Sequence, residues 1–189
     1  MPQILSYCLN FVQKKHLPSI LKICEEQLGN GFLAPDLLAS YLDHPSKYCH
    51  VVLLDQQVIG FSLMEISPRA QIAQKMKQAE QWFLDYFSAY DNIGYRSLTA
   101  VSKEFEGKGV ASLLVKEGLE FLSSKVDVVV GDAWKSEHTH IGSILERNGC
   151  QALKEVPHFW TTESIQQNYH CSFCGAPPCE CAAVIYARF

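Results

Sequence analysis

No apolar run in the sequence approaches the roughly 20 residues needed to cross a bilayer as a helix. Its apolar runs, such as Val51–Leu54 and Val128–Val130, have the length of buried strands. Charge of one sign is not in excess. Sixteen Lys and Arg face twenty Asp and Glu, a formal net charge of −4. That balance argues against sequence-independent nucleic-acid binding, which needs many cations to displace phosphate counterions. The first positive charges follow the apolar stretch at the N-terminus, whereas a secretory leader has the reverse order. A cytoplasmic protein with no membrane and no nucleic-acid partner is therefore expected. Internal repeats and low-complexity linkers are absent too. Apolar residues make up 48% and charged residues 19% of 189 residues, which fits one globular domain over 1–189.

Cysteine is not scarce: there are eight. Cys8, Cys24, Cys49 and Cys150 are scattered, as reduced core thiols usually are. The other four form C-x2-C-x4-C-x-C within 170–181 as Cys171, Cys174, Cys179 and Cys181. Four thiolates at about 2.3 Å close a tetrahedral structural zinc site with no position left for catalysis. Reduced loop thiols, or a disulfide formed on oxidation, are the alternatives. His170 is a substitute ligand for one Cys.

Hydrophobic periodicity gives the order of elements. Gln3–Leu9 reads as a strand. Leu17, Ile20, Leu21, Cys24 and Leu28 recur at helical spacing, with Pro18 in the first turn and Gly29 and Gly31 beyond the end. A short helix follows from Pro35. His50–Leu54 and Val58–Glu65 read as strands joined by a tight turn at 55–57. Within a helical insertion at 67–92, residues 70–90 carry a stripe of Ile72, Met76, Ala79, Phe83, Tyr86, Phe87 and Tyr90. A helix packed on the core explains that stripe; a lid over a pocket or a homodimer contact is the alternative. Then come a strand at 93–101, a helix at 110–124, a buried strand at 126–133, a helix at 138–148 ended by Gly149, and strands at 150–160 and 182–189. This order predicts an α/β fold with a mixed central sheet of about seven strands flanked by helices.

The stretch LTAVSKEFEGKGVASLL, residues 98–114, runs from a strand end through a short loop into a helix. Gly107 and Gly109 let the backbone turn sharply and approach a ligand, and free N–H groups at the helix start suit a pyrophosphate. Lys108 supplies a cation beside them. The spacing is neither that of a P-loop nor that of a dinucleotide fingerprint.

The same stretch resembles motif A of the GNAT superfamily of acyl-CoA-dependent N-acyltransferases, whose core is [Q/R]-x-x-G-x-[G/A]. Glu106, Gly107, Lys108, Gly109, Val110 and Ala111 occupy that core, with Glu106 at the Gln/Arg position. Leu145–Cys150 resembles the Y-E-K-x-G-F ending of the family's fourth helix, and the element order over the whole chain matches the family's. The resemblance implies a GNAT-like sheet, with an extra helix between strands three and four and a Cys-rich loop between strands six and seven. It implies acetyl-CoA as cosubstrate, lying between splayed strands four and five with its pantetheine on Thr99, Ala100 and Val101, and with His138 at a cofactor-contact position. It implies direct attack by an amine acceptor, with Tyr95 and Glu65 as candidates for handling the proton. Leu145 stands where the family carries a Tyr acid, and it cannot donate. A domain that binds acyl-CoA for sensing, or a zinc-stabilised interaction domain, is the competing reading.

Overall fold

The computed structural model describes residues 7–135 and 140–189. Helix α1 (Leu17–Leu28) begins with Pro18 in its first turn and ends at Gly29, φ +113°. Ile20, Ile23 and Cys24 are its buried side. The short α2 (Pro35–Ala39) follows. Strand β1 (Cys8–Phe11) precedes α1; it runs to 11 rather than stopping at Leu9, and 1–6 lie outside the described residues. Strands β2 (Lys47–Leu54) and β3 (Gln57–Pro68) form the expected hairpin. Its turn residues Asp55 and Gln56 both have positive φ, the backbone that matches strand twist in a two-residue turn.

The 70–90 stripe is core, but it is not one helix. α3 (Arg69–Lys75) and α4 (Glu80–Tyr86) are separated by a 3₁₀ turn over Lys77–Ala79, and Lys77 has φ +55°. Ile72, Met76, Ala79, Phe83 and Phe87 are all fully buried, while Tyr86 is exposed. The break has a tertiary cause. Lys77 Nζ reaches the Phe159 carbonyl at 2.8 Å and Glu163 at 2.9 Å, so its backbone leaves the helical path.

Strand β4 (Asn92–Val101) leads through the glycine turn into α5 (Val110–Ser123). β5 (Val129–Lys135), α6 (Ile141–Arg147), β6 (Gln151–Val156) and β7 (Ala182–Arg188) complete the frame. The predicted strand at 150–160 ends early: Pro157 follows β6, and α7 (Thr161–Gln167) occupies the connection to β7. Only Ser164 of α7 is buried, so no apolar stripe marked it.

The seven strands form one sheet in the order β1-β2-β3-β4-β5-β7-β6. Every pairing is antiparallel except β4 with β5. α1 to α4 cover one face, where Phe61, Leu63, Tyr95, Val130 and Ile185 point; α5 and α6 cover the other, over Met64, Ile59, Val129 and Tyr186. None of the described helices is long and apolar enough to cross a membrane.

Candidate acyl-transfer site

The site begins with one extra residue. Leu63 pairs with Leu98 and Met64 with Arg96, so Ser97 is a bulge on β4. A bulge bends its strand. β4 and β5 pair only through Gly94–Val129, Tyr95–Val130 and Arg96–Gly131, and diverge beyond. Residues 98–101 keep their β3 partners, so their other backbone edge faces the gap.

That gap is part of a cavity of about 980 Å³. Thr99, Ala100, Val101, Glu106, Gly107, Gly109, Val110 and Ala111, all expected at a cofactor site, line it. Gly107 and Gly109 adopt φ +70° and +83°, and a Cβ on either would meet nothing within 4 Å. Their absence of side chains therefore leaves open space over the start of α5. No side chain caps this helix, and its first internal bond runs from Leu113 N to Gly109 O at 3.0 Å. The preceding amides remain available to an anion.

Lys108 is not in the cavity wall; its Nζ lies 4.8 Å from the Phe105 ring centroid. His138 lies outside the described residues. The cations that do line the cavity are Lys103 and Arg147. Glu106 accepts a 2.6 Å hydrogen bond from Gln27 Nε2, which also donates to the Val101 carbonyl at 2.7 Å. α1 thereby ties together the end of β4 and the glycine turn. Leu145 is buried among Cys150 and Tyr186, with no access to the cavity.

A second pocket, of about 310 Å³, opens beside the first. Phe32, Ser97, Leu98, Asp132 and Trp160 line both. The pocket floor is a row across the sheet, since Lys47 pairs with Glu65, Glu65 with Tyr95, and Tyr95 with Val130. Asp132 is two residues past Val130, on the same face. Both Glu65 and Tyr95, the two proton-handling candidates, are therefore in this pocket. Glu65 is 4% exposed and paired with Lys75. The Tyr95 hydroxyl donates to the Asp132 carboxylate. Burial, reinforced by Asp132, holds the Tyr95 phenol well above its ordinary value. Burial also raises the Asp132 carboxyl, against the Tyr95 hydrogen bond and the charge of Lys77. Burial lowers Lys77, opposed by Glu163.

Asp132 was not among the sequence candidates. It ends an otherwise apolar run, Val128–Gly131, one residue past the last β4–β5 pair. A lone acid in the middle of an otherwise apolar strand is the signal that would have found it. Gln27, Lys103 and Arg147 carried no comparable signal.

The four tail cysteines do converge. All are free thiols, and their sulfurs lie within 4.8 Å of one another. Cys174–Cys181, Cys171–Cys181 and Cys174–Cys179 are 3.4, 3.8 and 3.9 Å apart. A tetrahedron with 2.3 Å metal–sulfur bonds has edges of about 3.8 Å. Amides point at two of the sulfurs: Phe173 N at Cys171 Sγ, 3.5 Å, and Glu180 N at Cys174 Sγ, 3.4 Å. Such donors stabilise thiolate charge. The donor set fits a closed tetrahedral metal. Gly175, φ +81°, turns the chain after Cys174.

This loop is joined to the end of α1. His170 N bonds to Asn30 O at 3.3 Å, Ser172 N to Leu28 O at 3.3 Å, and Ser172 Oγ to Gln27 O at 2.8 Å. At Gly29 the approach is so close that a Cβ would stand 1.6 Å from the His170 carbonyl oxygen. Cys171, Ser172, Phe173 and Cys179 form part of the large cavity's wall.

The sequence matches no family model and no curated protein. Solved structures do match. Arabidopsis thaliana NAA60 in complex with acetyl-CoA aligns over 97% of this chain and 98% of its own, with a TM-score of 0.72 at 11% identity. The ribosomal-protein-S18-alanine N-acetyltransferase of Escherichia coli aligns over 97% and 93%, with a TM-score of 0.64 at 14% identity. The IAA acetyltransferase of Bacillus cereus ATCC 14579 aligns over 97% and 99%, with a TM-score of 0.62 at 11% identity. The fold is that of the GNAT N-acetyltransferases, as the resemblance implied.

Proposed function

We propose that the protein is an N-acetyltransferase that moves an acetyl group from acetyl-CoA to a primary amine by direct attack. One observation carries this reading. The Ser97 bulge opens the β4–β5 gap, and the resulting cavity runs from an open helix start at Gly107–Gly109 to a half-buried carboxylate at Asp132. Amides at the start of α5 take the pyrophosphate, with Lys103 and Arg147 as nearby cations. The free edge of Thr99–Val101 pairs with the pantetheine amides, and a β4 N–H polarises the thioester carbonyl. The amine nitrogen attacks the carbonyl carbon, the C–S bond breaks, and CoA leaves as thiolate. Asp132 accepts the proton released by the amine, and Tyr95 fixes its orientation. Glu65, paired with Lys75, shapes the acceptor pocket. Orientation of two bound substrates supplies much of the rate.

The Cys171–Cys174–Cys179–Cys181 cluster holds a structural zinc in this reading. Bound there, zinc would cross-link the β6–β7 connection; four thiolates leave no position for substrate. A catalytically weak acyl-CoA-binding domain is the second reading, favoured by the burial of Leu145 where the family has its acid. Thiol release from acetyl-CoA, measured against a panel of primary amines, separates the two. Amine-dependent release with a matching N-acetylated product supports the transferase. A CoA-induced rise in melting temperature without release supports the binding domain.

A further inference from the structure

The second pocket carries six charged side chains: Lys47, Glu65, Lys75, Lys77, Asp132 and Glu163. Four of them cancel in pairs. Lys75 is bound to Glu65, and Lys77 to Glu163 at 2.9 Å. Two remain without a countercharge in contact among the described residues: Asp132 and Lys47. Asp132 has the Tyr95 hydroxyl as its partner, and Lys47 Nζ has the Ser40 hydroxyl at 2.9 Å and the Tyr41 ring at 5.5 Å.

These two stand at opposite ends. Lys47 is on β2 and Asp132 on β5, with Glu65 and Tyr95 on the strands between. At about 4.8 Å per strand, the Lys47 and Val130 backbones are roughly 14 Å apart, and Asp132, about 7 Å further along β5, is at least about 16 Å from Lys47. Both long and short side chains lean into the space between, which leaves room for a small molecule of a few heavy atoms. Asp132 is the end shared with the acetyl-CoA cavity. The pocket is thus negative where an amine must react and positive at its far end, with apolar walls from Leu33, Leu63, Leu98 and Phe159.

The way in is narrow on one side. The hydrogen bonds joining residues 27–30 to 170–172, and the Phe32–Tyr169 ring contact at 5.2 Å, close the wall between α1 and the cysteine loop.

Resting on the acetyltransferase reading, we propose that the acceptor is a small zwitterionic amine of the amino-acid class, its ammonium held at Asp132 and its anionic group at Lys47. A carboxylate at Lys47 supplies a countercharge to the one lysine of this pocket that has none among the described residues, and selects against amines that lack it.

The test uses the full chain and acetyl-CoA, with α-, β- and ω-amino acids, their carboxamides, matched plain amines and a short peptide as acceptors. At least one amino acid is expected to exceed its own carboxamide roughly tenfold in kcat/KM, mainly through KM. Lys47→Met is expected to bring that ratio to about one, and Lys47→Arg to retain it. A carboxamide, plain amine or peptide used as well as any amino acid overturns the inference and leaves acetyl transfer standing. So does a ratio that Lys47→Met does not change. Absence of thiol release from every acceptor overturns acetyl transfer, and this inference with it.

Discussion

Alanine at Gly107 and Gly109 separates the folding role of this turn from its binding role. Both residues sit in the left-handed region, at φ +70° and +83°. An L-residue there costs roughly 1–2 kcal/mol. Neither Cβ meets an atom within 4 Å, so no clash is added to that strain. Each single variant should lose about 1–2 kcal/mol. For a chain of 189 residues that is a fall of roughly 2–8 °C in melting temperature. The new methyl groups project into the space over the start of α5, where the diphosphate would lie. Losing one or two charge-assisted amide bonds there costs about 1.5–3 kcal/mol each, so CoA should bind on the order of 10- to 10⁴-fold more weakly. Calorimetric titration with CoA, at a temperature where every variant is folded, measures this directly. Pantetheine, which lacks the diphosphate, serves as the control and should bind each variant equally. A double variant that melts lower as expected, yet binds CoA like the parent, would refute the assignment of this niche to the diphosphate.

Three further outcomes follow from the same structure. Asp132→Asn should lower kcat by roughly 10²–10⁴-fold and remove the acid limb of the pH–rate profile. Burial raises the folded-state pKa of Asp132, so its ionisation opposes folding at neutral pH; the Asn variant should therefore melt higher at pH 7, and a lower melting temperature would contradict the reading. Zinc analysis should find about one equivalent per chain, with a chelator or Cys181→Ser lowering both the melting temperature and CoA affinity; a metal-free protein with full affinity would remove the structural-zinc reading. His50, 4% exposed, is held down to about 4 by burial and by Arg96. It is neutral when folded and protonated when unfolded between that value and 6.5, so stability is lost as pH falls through this window, by up to about 3 kcal/mol at its lower end. His50→Leu should flatten the dependence of melting temperature on pH between 6.5 and 4, and an unchanged slope would count against it.

The sheet, its flanking helices and the glycine turn were legible because each is written in local pattern. α1, α5 and the β2–β3 hairpin show their period and their stop residues directly. The 70–90 segment shows where local pattern misleads. Its stripe is real, but Lys77 follows a tertiary pull from Phe159 and Glu163, and the helix breaks there. α7 left no trace because a seven-residue helix with one buried residue has no stripe to show. Asp132 was missed for a different reason. Its partner Tyr95 is 37 residues away on the parallel neighbour, and no periodicity links the two. Gln27 reaches Glu106 across 79 residues in the same way. Site chemistry here lives in pairs that only the sheet brings together.

The cysteine cluster follows from the same geometry. Between β6 and β7 the chain runs from Pro157 to Cys181, far longer than the usual connection of about 4–6 residues. Phe159 near its start belongs to the main core; beyond it, Tyr169, Cys171 and Cys179 form a small cluster of their own. A loop with so small a core does not hold its shape by apolar burial alone. Four sulfurs in one place would, on binding a metal, give it a cross-link that needs no core. The loop's wall faces the large cavity through Ser172 and Phe173 and is fastened to α1 at Leu28 and Asn30. α1 in turn holds the end of β4 and the glycine turn through Gln27. Loss of the metal should therefore weaken cofactor binding more than it weakens the sheet, because the contacts it supports lie along the cavity and not in the core.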